Sequence, residues 1–237
     1  MNRIEDMTIF IFAAGRGKRM MPLTAKTPKP LLKIGKLSLI EHVIHRLSSQ
    51  GFKNFIINID YFGDKIIEKL SQGKFNNLNI RFSDERKTGA LETAGAIRQA
   101  YDLIESDDFL AINADIWIDF DFKEFVSFHD SHNKPASIVL VPNPEHNPEG
   151  DFSFDESKRI VSKIEQNSDS ENTYTFAGIG IYNKLLFSEI AKSKQPLAPL
   201  LLKWIEQGDL YGLIHSGQWH DIGTPARLKR INNGYLK

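Results

Sequence analysis

Two kinds of pattern alternate along the chain between Thr8 and Val141. Short runs of consecutive apolar residues predict buried β-strands, and the longer stretches between them repeat apolar residues every three to four positions, which predicts amphipathic helices. The predicted strands are TIFIFAA, NFIINI, NLNIRFS, DFLAIN and ASIVLV, and the predicted helices are SLIEHVIHRLSSQ, YFGDKIIEKL, ETAGAIRQAYDLI and DFKEFVSFHDSH. Repeated strand and helix units predict an α/β fold with a mostly parallel sheet, helices on both faces, and ligands at the carboxyl ends of the strands.

The pattern after Val141 is less regular. FSFDE, RIVSKIE and TYTFAGIGIY predict a small antiparallel insertion, LAPLLLKWIEQG predicts a helix, LYGLIH predicts a further strand, and a closing helix begins at Thr224. The sequence shows no internal repeat and no long linker. Because 237 residues with 41% hydrophobic content can build one large core, we expect a single domain over residues 1–237.

The charge balance argues against a partner such as nucleic acid or an anionic membrane. Lys plus Arg and Asp plus Glu both number 30, so the formal net charge is +0, and an anion must be bound by a local cluster of charge. The absence of cysteine excludes a cysteine nucleophile and thiolate metal sites. No segment has a signal-peptide pattern or the length of a membrane span, so we expect a cytoplasmic protein with small-molecule partners.

The segment GRGKRMMPLTAKTPKPL, which follows the first predicted strand, carries the first candidate chemistry. Its glycines let backbone amides approach phosphate oxygens, Lys18 and Arg19 add positive charge, and the prolines stiffen the return of the chain toward Lys29. Met20 stands where the dinucleotide fingerprint needs a third glycine, and Arg19 stands where a Walker A motif needs Ser or Thr. Alone, the segment fits either a phosphate loop or an ordinary basic surface loop.

The complete motif, Gly-x-Gly-x-Arg-Met-x-Pro-Leu-Thr followed by Thr27-Pro28-Lys29-Pro30-Leu31, resembles the signature of the sugar-1-phosphate nucleotidylyltransferases. The resemblance implies a Rossmann-like, GT-A-like nucleotidyltransferase fold. It also implies catalytic roles for Arg19 on the leaving phosphates and for Lys29 on the phosphorus under attack. The nucleotide-binding residues that it implies are Ala13, Ala14, Gly15, Gly17, Lys18, Arg19 and Lys29.

Two aspartates follow predicted strands or precede a predicted helix. Asp115 ends FLAINAD, and Asp221 lies in QWHDIGTP just before the closing helix. Each of them alone is compatible with turn or capping chemistry. The resemblance implies that both bind Mg²⁺ and that Asn113 contacts substrate. Two carboxylates suit this hard cation, whereas the histidines lack the spacing of a zinc site.

Three further segments resemble one branch of the family, in which UMP is transferred from UTP to N-acetylmuramic acid 1-phosphate during cell-wall (peptidoglycan) recycling. These segments are LETAG from Leu91, Asn143-Pro144 with Gly150-Asp151-Phe152, and TFAGI from Thr175. The nucleotide and sugar contacts implied are Glu92 toward the base, and Asn143, Asp151 and Glu165 toward the sugar. Without the resemblance, capping chemistry explains Glu92 and turn chemistry explains Asn143 and Asp151.

The sequence therefore predicts an Mg²⁺-dependent nucleotidyltransferase that converts UTP and N-acetylmuramic acid 1-phosphate into UDP-N-acetylmuramic acid and pyrophosphate. Three alternatives stay open: a nucleotidylyltransferase for another hexose 1-phosphate, a metal-dependent glycosyltransferase, and a non-catalytic nucleotide-sugar sensor. The usual Asp-x-Asp of a glycosyltransferase is not matched by Asp115-Ile116-Trp117. A sensor could dispense with Lys29 or with the two metal carboxylates, and this chain keeps all of them.

Overall fold

A computed structural model of the chain describes residues 3–155, 160–163 and 172–235. The strands are β1 (Thr8–Phe12), β2 (Lys33–Ile34), β3 (Leu37–Ser38), β4 (Asn54–Ile59), β5 (Asn79–Asp84), β6 (Asp108–Asn113), β7 (Ile116–Ile118), β8 (Ala136–Val141), β9 (Phe152–Asp155), β10 (Ile160–Ser162), β11 (Thr173–Asn183), β12 (Leu210–Ile214) and β13 (Trp219–Asp221). The α-helices are α1 (Arg3–Asp6), α2 (Leu39–Ser49), α3 (Gly63–Leu70), α4 (Glu92–Gln99), α5 (Phe122–Asp130), α6 (Ala198–Glu206) and α7 (Pro225–Tyr235). Short 3-10 turns cover Lys18–Met20, Leu23–Ala25, Lys29–Leu31, Tyr101–Leu103 and Lys184–Phe187.

Nine strands form one mixed sheet in the order β5-β4-β1-β6-β11-β8-β12-β10-β9. The strands β5, β4, β1 and β6 are joined by parallel pairings, and β12 is parallel to β8. Strand β11 is antiparallel to both β6 and β8, so it runs against most of the sheet, and β9 and β10 form the antiparallel part at one edge. This arrangement confirms the predicted mostly parallel sheet with an antiparallel part, but β11, which the sequence pattern predicts within the small antiparallel insertion, lies inside the sheet between β6 and β8.

Helices cover both faces of the sheet. Alternate residues of β1 point to opposite sides: Ile9 and Ile11 pack in the same core cluster as the apolar faces of α2, α3 and α5, whereas Phe10 packs with residues of α4 and α6. The side-chain period of two in a strand produces this division. No helix in the described ranges is both long and apolar enough to cross a membrane.

The parallel register brings polar side chains together at the carboxyl edge of the sheet. Phe12, the last residue of β1, is paired with Asn58 of β4 on one side and with Asn113 of β6 on the other. The sequence pattern predicts that β1 continues to Ala14, but the strand ends at Phe12. It ends there because the amides of the next two residues donate to the side chain of Asn58. The chain therefore leaves the sheet where its loop begins.

The sequence pattern did not predict the pairing of β7 with β13, two strands of three residues each. They form a separate antiparallel sheet in which Ile116 is paired with Asp221. A small third core cluster lies nearby, where Met20 of the glycine-rich segment and Leu32, which directly follows it, pack with Leu228 and Ile231 of α7. The N-terminal loop and the C-terminal helix are thus joined through shared apolar contacts.

Helix α2 begins with a capping box. The backbone amide of Ser38 donates to the Glu41 carboxylate at 2.8 Å, and the Ser38 hydroxyl donates to the same oxygen at 2.7 Å. Burial alone would raise the pKa of Glu41, but the bonds from Ser38 and the charge of Lys74 outweigh burial and lower this pKa to about 2. The carboxylate therefore stabilises the folded state chiefly in its ionised form.

We expect Glu41→Gln to lower the free energy of unfolding at pH 7 by about 1–2 kcal/mol, the size of a lost cap. Because the folded-state pKa lies below the ordinary value of 4.5, this contribution is complete above pH 4.5 and disappears as the pH falls toward about 2. Urea unfolding at several pH values measures the difference. The exposed Glu68→Gln is the control, and a difference for Glu41→Gln that stays constant down to pH 2 would contradict the assignment.

Candidate functional site

Three adjoining cavities open at the carboxyl edge of the sheet, with volumes of about 720, 570 and 330 Å³. The largest is lined by the glycine-rich loop and by Glu92, and we call it the nucleotide cavity. The second has mostly apolar walls, including Phe152 and Leu201, and we call it the apolar cavity. The third, lined by Asp115 and Asp221, is the acidic cavity. Asn113 lines all three, so they meet at the end of β6.

The glycine-rich loop has a fixed backbone conformation. Gly17 adopts a left-handed φ of 62°, and a Cβ at this position would lie 3.0 Å from both Lys29 Cβ and Thr24 Cγ2. The Thr24 hydroxyl donates to the Gly17 carbonyl at 2.9 Å, and the fully buried Met20 anchors the turn that follows. Glycine is required here because any side chain would combine backbone strain with a close contact.

The cations of this loop differ in their surroundings. Lys18 and Arg19 are exposed at the nucleotide cavity, and neither forms an ion pair with another residue in the described part of the chain. Lys29 is only 14% exposed and forms an ion pair with Asp115. The loop thus offers three exposed cations, Arg16, Lys18 and Arg19, to an anionic ligand at this cavity, and a fourth, Lys29, that a carboxylate holds in position.

The two predicted metal aspartates lie close together, and each is paired with a cation. Asp115 precedes β7 and contacts Lys29, while Asp221 ends β13 and accepts a hydrogen bond from Arg227 Nη1 at 2.8 Å. The backbone joins their segments, because the Ile222 amide donates to the Asp115 carbonyl at 2.9 Å. Pairing of β7 with β13 therefore brings two residues 106 positions apart in sequence to one cavity.

Arg227 also contacts His146 at the acidic cavity. Its Nη1 atom lies 2.6 Å from His146 Nε2, which accepts the bond in the neutral form of the ring. Burial and then the charge of Arg227 lower the pKa of His146, which favours that neutral form. The sequence pattern did not indicate either residue, because an arginine in a helix and a histidine in a proline-rich loop are common surface features.

A buried polar chain forms one wall of the nucleotide cavity. Asn58 Oδ1 accepts hydrogen bonds from the amides of Ala13 and Ala14 at 2.6 and 3.3 Å, and Asn58 Nδ2 donates to Glu85 Oε1 at 2.7 Å. The other oxygen of Glu85 accepts from the amide of Leu91 at 2.8 Å. Glu85 is 0% exposed, and burial raises the pKa of its carboxyl. Asn58 and Glu85 belong to no motif, so the sequence pattern did not indicate either residue.

The predicted base contact, Glu92, lies at the start of α4, which packs against the loop that contains Gln195. Glu92 has a positive φ of 59° and an exposed side chain that pairs with Lys194 at 3.2 Å, at the rim of the nucleotide cavity. Two backbone amides in the first turn of the helix, those of Ala94 and Gly95, both donate to the Gln195 carbonyl. A Cβ on Gly95 would lie 2.2 Å from the Ser193 carbonyl oxygen, so this glycine permits the close approach of the loop.

The predicted sugar contacts differ in whether they line a cavity. Asp151 lines both the apolar and the acidic cavity, and its Oδ2 accepts from the Phe176 amide at 2.8 Å. The amide of Asn143 is held by Thr173 and Thr175 and lies outside the lining of the described cavities. Glu165 falls outside the described residues. The roles of all three in sugar binding stay predictions.

A family profile and known proteins match most of the chain. The Nucleotidyl transferase family profile matches residues 9–237. The chain is 40% identical over 228 residues to N-acetylmuramate alpha-1-phosphate uridylyltransferase of Neisseria meningitidis serogroup B, covering 94% of this chain and 96% of the relative. It is 30% identical to the catalytic subunit beta of mannose-1-phosphate guanylyltransferase of Drosophila melanogaster, of which it spans 59%. The chain belongs to the nucleotidyltransferase family, and it is an enzyme of that class.

Solved structures agree on the fold. HddC from Yersinia pseudotuberculosis, in complex with GMP-PN, superposes with a TM-score of 0.79 at 22% identity and covers 97% of this chain and 99% of its own. A Bacillus anthracis protein assigned as a glucose-1-phosphate thymidylyltransferase and crystallised with sucrose gives a TM-score of 0.81, also at 22% identity, with 96% and 94% of the chains covered. The predicted nucleotidyltransferase fold is confirmed.

We expect Gly17→Ala to weaken nucleoside triphosphate binding, with a KM about tenfold higher or more, because the new methyl group displaces Lys29 or Thr24. The control is Gly208→Ala, at a similar φ of 68° but with no atom within 4 Å of the added Cβ. Both variants should lose about 1 kcal/mol of stability through backbone strain. Steady-state kinetics and thermal unfolding separate the two effects, and an unchanged KM in Gly17→Ala would contradict the role of the loop.

Proposed function

We propose that this enzyme transfers UMP from UTP to N-acetylmuramic acid 1-phosphate, forming UDP-N-acetylmuramic acid and pyrophosphate. The observation that carries the proposal is the near full-length match, at 40% identity, to the uridylyltransferase of Neisseria meningitidis. The cavities support it because they provide adjoining spaces for a nucleotide and for a sugar phosphate. A role in cell-wall recycling inside the cell follows from this substrate, and we place the whole activity in a single domain.

The nucleotide occupies the largest cavity. Lys18 and Arg19 neutralise the β- and γ-phosphates, because they are exposed at this cavity and have no ion-pair partner in the described ranges. Lys29 lies deeper, at the side of Asp115, and reaches the α-phosphate. A cation held in this way costs little reorganisation when negative charge develops on the phosphoryl group, so it favours the transition state over the bound substrate.

The reaction is a direct in-line displacement. An ionised phosphate oxygen of the sugar 1-phosphate forms a bond to the α-phosphorus of UTP, while the bond from that phosphorus to the bridging oxygen breaks and pyrophosphate leaves with the electron pair. The attacking oxygen is already deprotonated, so the chain needs no general base and no covalent intermediate. The residues act by positioning the two substrates and neutralising their charge.

The two aspartates fit a bound Mg²⁺ ion. No group of three or more His, Cys, Asp or Glu side chains suitable for a metal is present within the described residues. Mg²⁺, however, commonly binds to one or two carboxylates together with substrate phosphates and water. Asp115 and Asp221 supply such a pair, and the ion would neutralise phosphate charge there. Arg227 holds Asp221 in place, as Lys29 holds Asp115.

The sugar occupies the apolar and acidic cavities. Their common wall carries Asn113 and Asp151, whose polar atoms can bind sugar hydroxyl groups. The apolar side of the space, with Phe152 and Leu201, suits methyl groups such as those of the acetamido and lactyl substituents. This combination favours a substituted hexose over an unsubstituted one.

The function is tested by measuring pyrophosphate release with Mg²⁺ for each pair of four nucleoside triphosphates and several sugar 1-phosphates. N-acetylmuramic acid, N-acetylglucosamine, glucose and mannose 1-phosphates form the sugar series. Release that is fastest with UTP and N-acetylmuramic acid 1-phosphate supports the proposal. Fast turnover of a different pair would keep the reaction and replace the substrate. No pyrophosphate release with any pair, together with release of UDP when a UDP-sugar and a sugar acceptor are supplied instead, would indicate a glycosyltransferase.

We expect Lys29→Ala to lower kcat by about 10²–10³-fold, because it removes one charge from the developing transition state. The KM for UTP should change much less, since Lys18 and Arg19 still contact the phosphates. Lys33→Ala, which removes an exposed lysine four residues later, is the control. A Lys29→Ala enzyme with the parent kcat would exclude the proposed role.

We expect Asp115→Ala and Asp221→Ala each to raise the Mg²⁺ concentration required for half-maximal activity at least about tenfold, because each removes a direct ligand. Asp119→Ala is the matched control, since Asp119 is near Asp115 in sequence but its side chain is 71% exposed. Magnesium titrations of activity, together with Mg²⁺ binding followed by calorimetry in the presence of UTP, measure the change. Titrations identical to the parent would remove the aspartate concerned from the metal site.

A further inference from the structure

Asn58 has two chemically different ends, and its orientation at the nucleotide cavity has a cause in the structure. Its oxygen faces the amides of Ala13 and Ala14, and its NH₂ group faces Glu85. Asn58 is 4% exposed and Glu85 is 0% exposed, so water has little access to replace a lost bond. A rotation of the side-chain amide by 180° would place the NH₂ group against two N–H donors, which is costly in a buried site.

The chain of bonds begins and ends with backbone donors. The Leu91 amide donates at one end, and the amides of Ala13 and Ala14 donate at the other. Two side chains, those of Asn58 and Glu85, lie between these backbone donors. A side-chain amide has only one oxygen, so it can accept on one side only. Every bond can form only if one of these two groups accepts on both sides, and the carboxylate of Glu85 is that group. Glu85 therefore determines the orientation of Asn58.

We propose that Glu85 and Asn58 are positioning residues that set the shape of the nucleotide cavity. Through Asn58, Glu85 fixes the backbone at Ala13 and Ala14, immediately before the glycine-rich loop, and through the Leu91 amide it fixes the start of α4. Two parts of the cavity lining are thus held by one buried carboxylate. The part of this proposal that concerns UTP rests on the proposed function.

The order of donors and acceptors along this series of hydrogen bonds supplies the test. In Glu85→Gln, both intervening groups are amides, so one N–H donor must face another donor. In Asn58→Asp, two carboxylates face each other. In the double variant Asn58→Asp with Glu85→Gln, the acceptor-only group moves to position 58, every bond can form again, and the formal net charge equals that of the parent.

The first readout is hydrogen exchange of the Ala13, Ala14 and Leu91 amides in the protein without substrate. We expect at least one of these amides to exchange about tenfold faster or more in each single variant, because one mispaired donor or two facing carboxylates weaken the series of buried hydrogen bonds. The double variant should return close to the parent rates. Because this measurement uses no nucleotide, it decides the bonding pattern even if UTP proves to be the wrong substrate. A double variant that exchanges as fast as the worse single variant would overturn the proposal.

The second readout is the KM and kcat for UTP and for the sugar 1-phosphate. We expect each single variant to raise the KM for UTP about tenfold, the double variant to recover it, and the KM for the sugar phosphate to change little. The matched control is Gln50→Glu. Gln50 also bridges two backbone groups, accepting from the Phe122 amide and donating to the Phe120 carbonyl, but it precedes β4, at the edge of the sheet away from the cavities. The control should lower the melting temperature without moving the KM.

The outcomes distinguish a role in shaping the nucleotide cavity from a general contribution to folding stability. Recovery of both exchange and KM in the double variant supports the proposal, including the case in which the single variants do not fold and the double variant does. A double variant that does not fold overturns it. A KM for UTP that stays at the parent value while exchange changes would overturn the role in shaping the cavity, whereas failure of the proposed function would appear as absence of UTP turnover in the parent enzyme.

Discussion

The parallel pairing of β1 with β4 and β6 is the constraint on which the site depends. Hydrogen bonding in register places Asn58 and Asn113 on either side of Phe12, at the position where β1 ends. One asparagine then holds the backbone that leads into the glycine-rich loop, and the other lines all three cavities. A change of register by one residue would reverse both side chains and bury them in the apolar layers. The same ladder that forms the core therefore positions the binding groups.

Two carboxylates of the cleft are paired with cations before any substrate binds. Asp115 is paired with Lys29 and Asp221 with Arg227, so neither aspartate is an isolated charge. Arg16, Lys18 and Arg19 are exposed at the nucleotide cavity and have no ion-pair partner among the described residues. In the proposed reaction, the exposed cations attract the triphosphate, while the partly buried pairs keep the reacting groups in fixed positions.

The sequence could predict much of the fold because the first half alternates regular strands and helices. The bounds of β4, β6 and β8 are those of the apolar runs NFIINI, DFLAIN and ASIVLV. The sequence could also indicate Asp115 and Asp221 through a resemblance, but not that Ile116 and Asp221 are paired across two strands of three residues. Such short strands have no periodic pattern of their own, and long-range pairing decides them.

Asn58 and Glu85 show a second limit of sequence reasoning. Each is one polar residue at or after the end of an apolar strand, where turns and caps usually explain polarity. Their meaning comes from the chemistry of their neighbours, which are backbone donors at both ends of the chain of bonds. No spacing in the sequence records that relation, because it joins segments around positions 13, 58, 85 and 91.

The third core cluster explains how loops can carry a rigid site. Met20 and Leu32 flank the segment that holds Lys29, and both pack against Leu228 and Ile231 of α7. Helix α7 begins four residues after Asp221 and carries Arg227, which binds that aspartate. Lys29 and Asp221 therefore share one small apolar anchor, although they lie near opposite ends of the sequence. Loosening this anchor would separate the two groups without altering either, so the precision of the site depends on apolar packing outside the cleft as much as on its polar contacts.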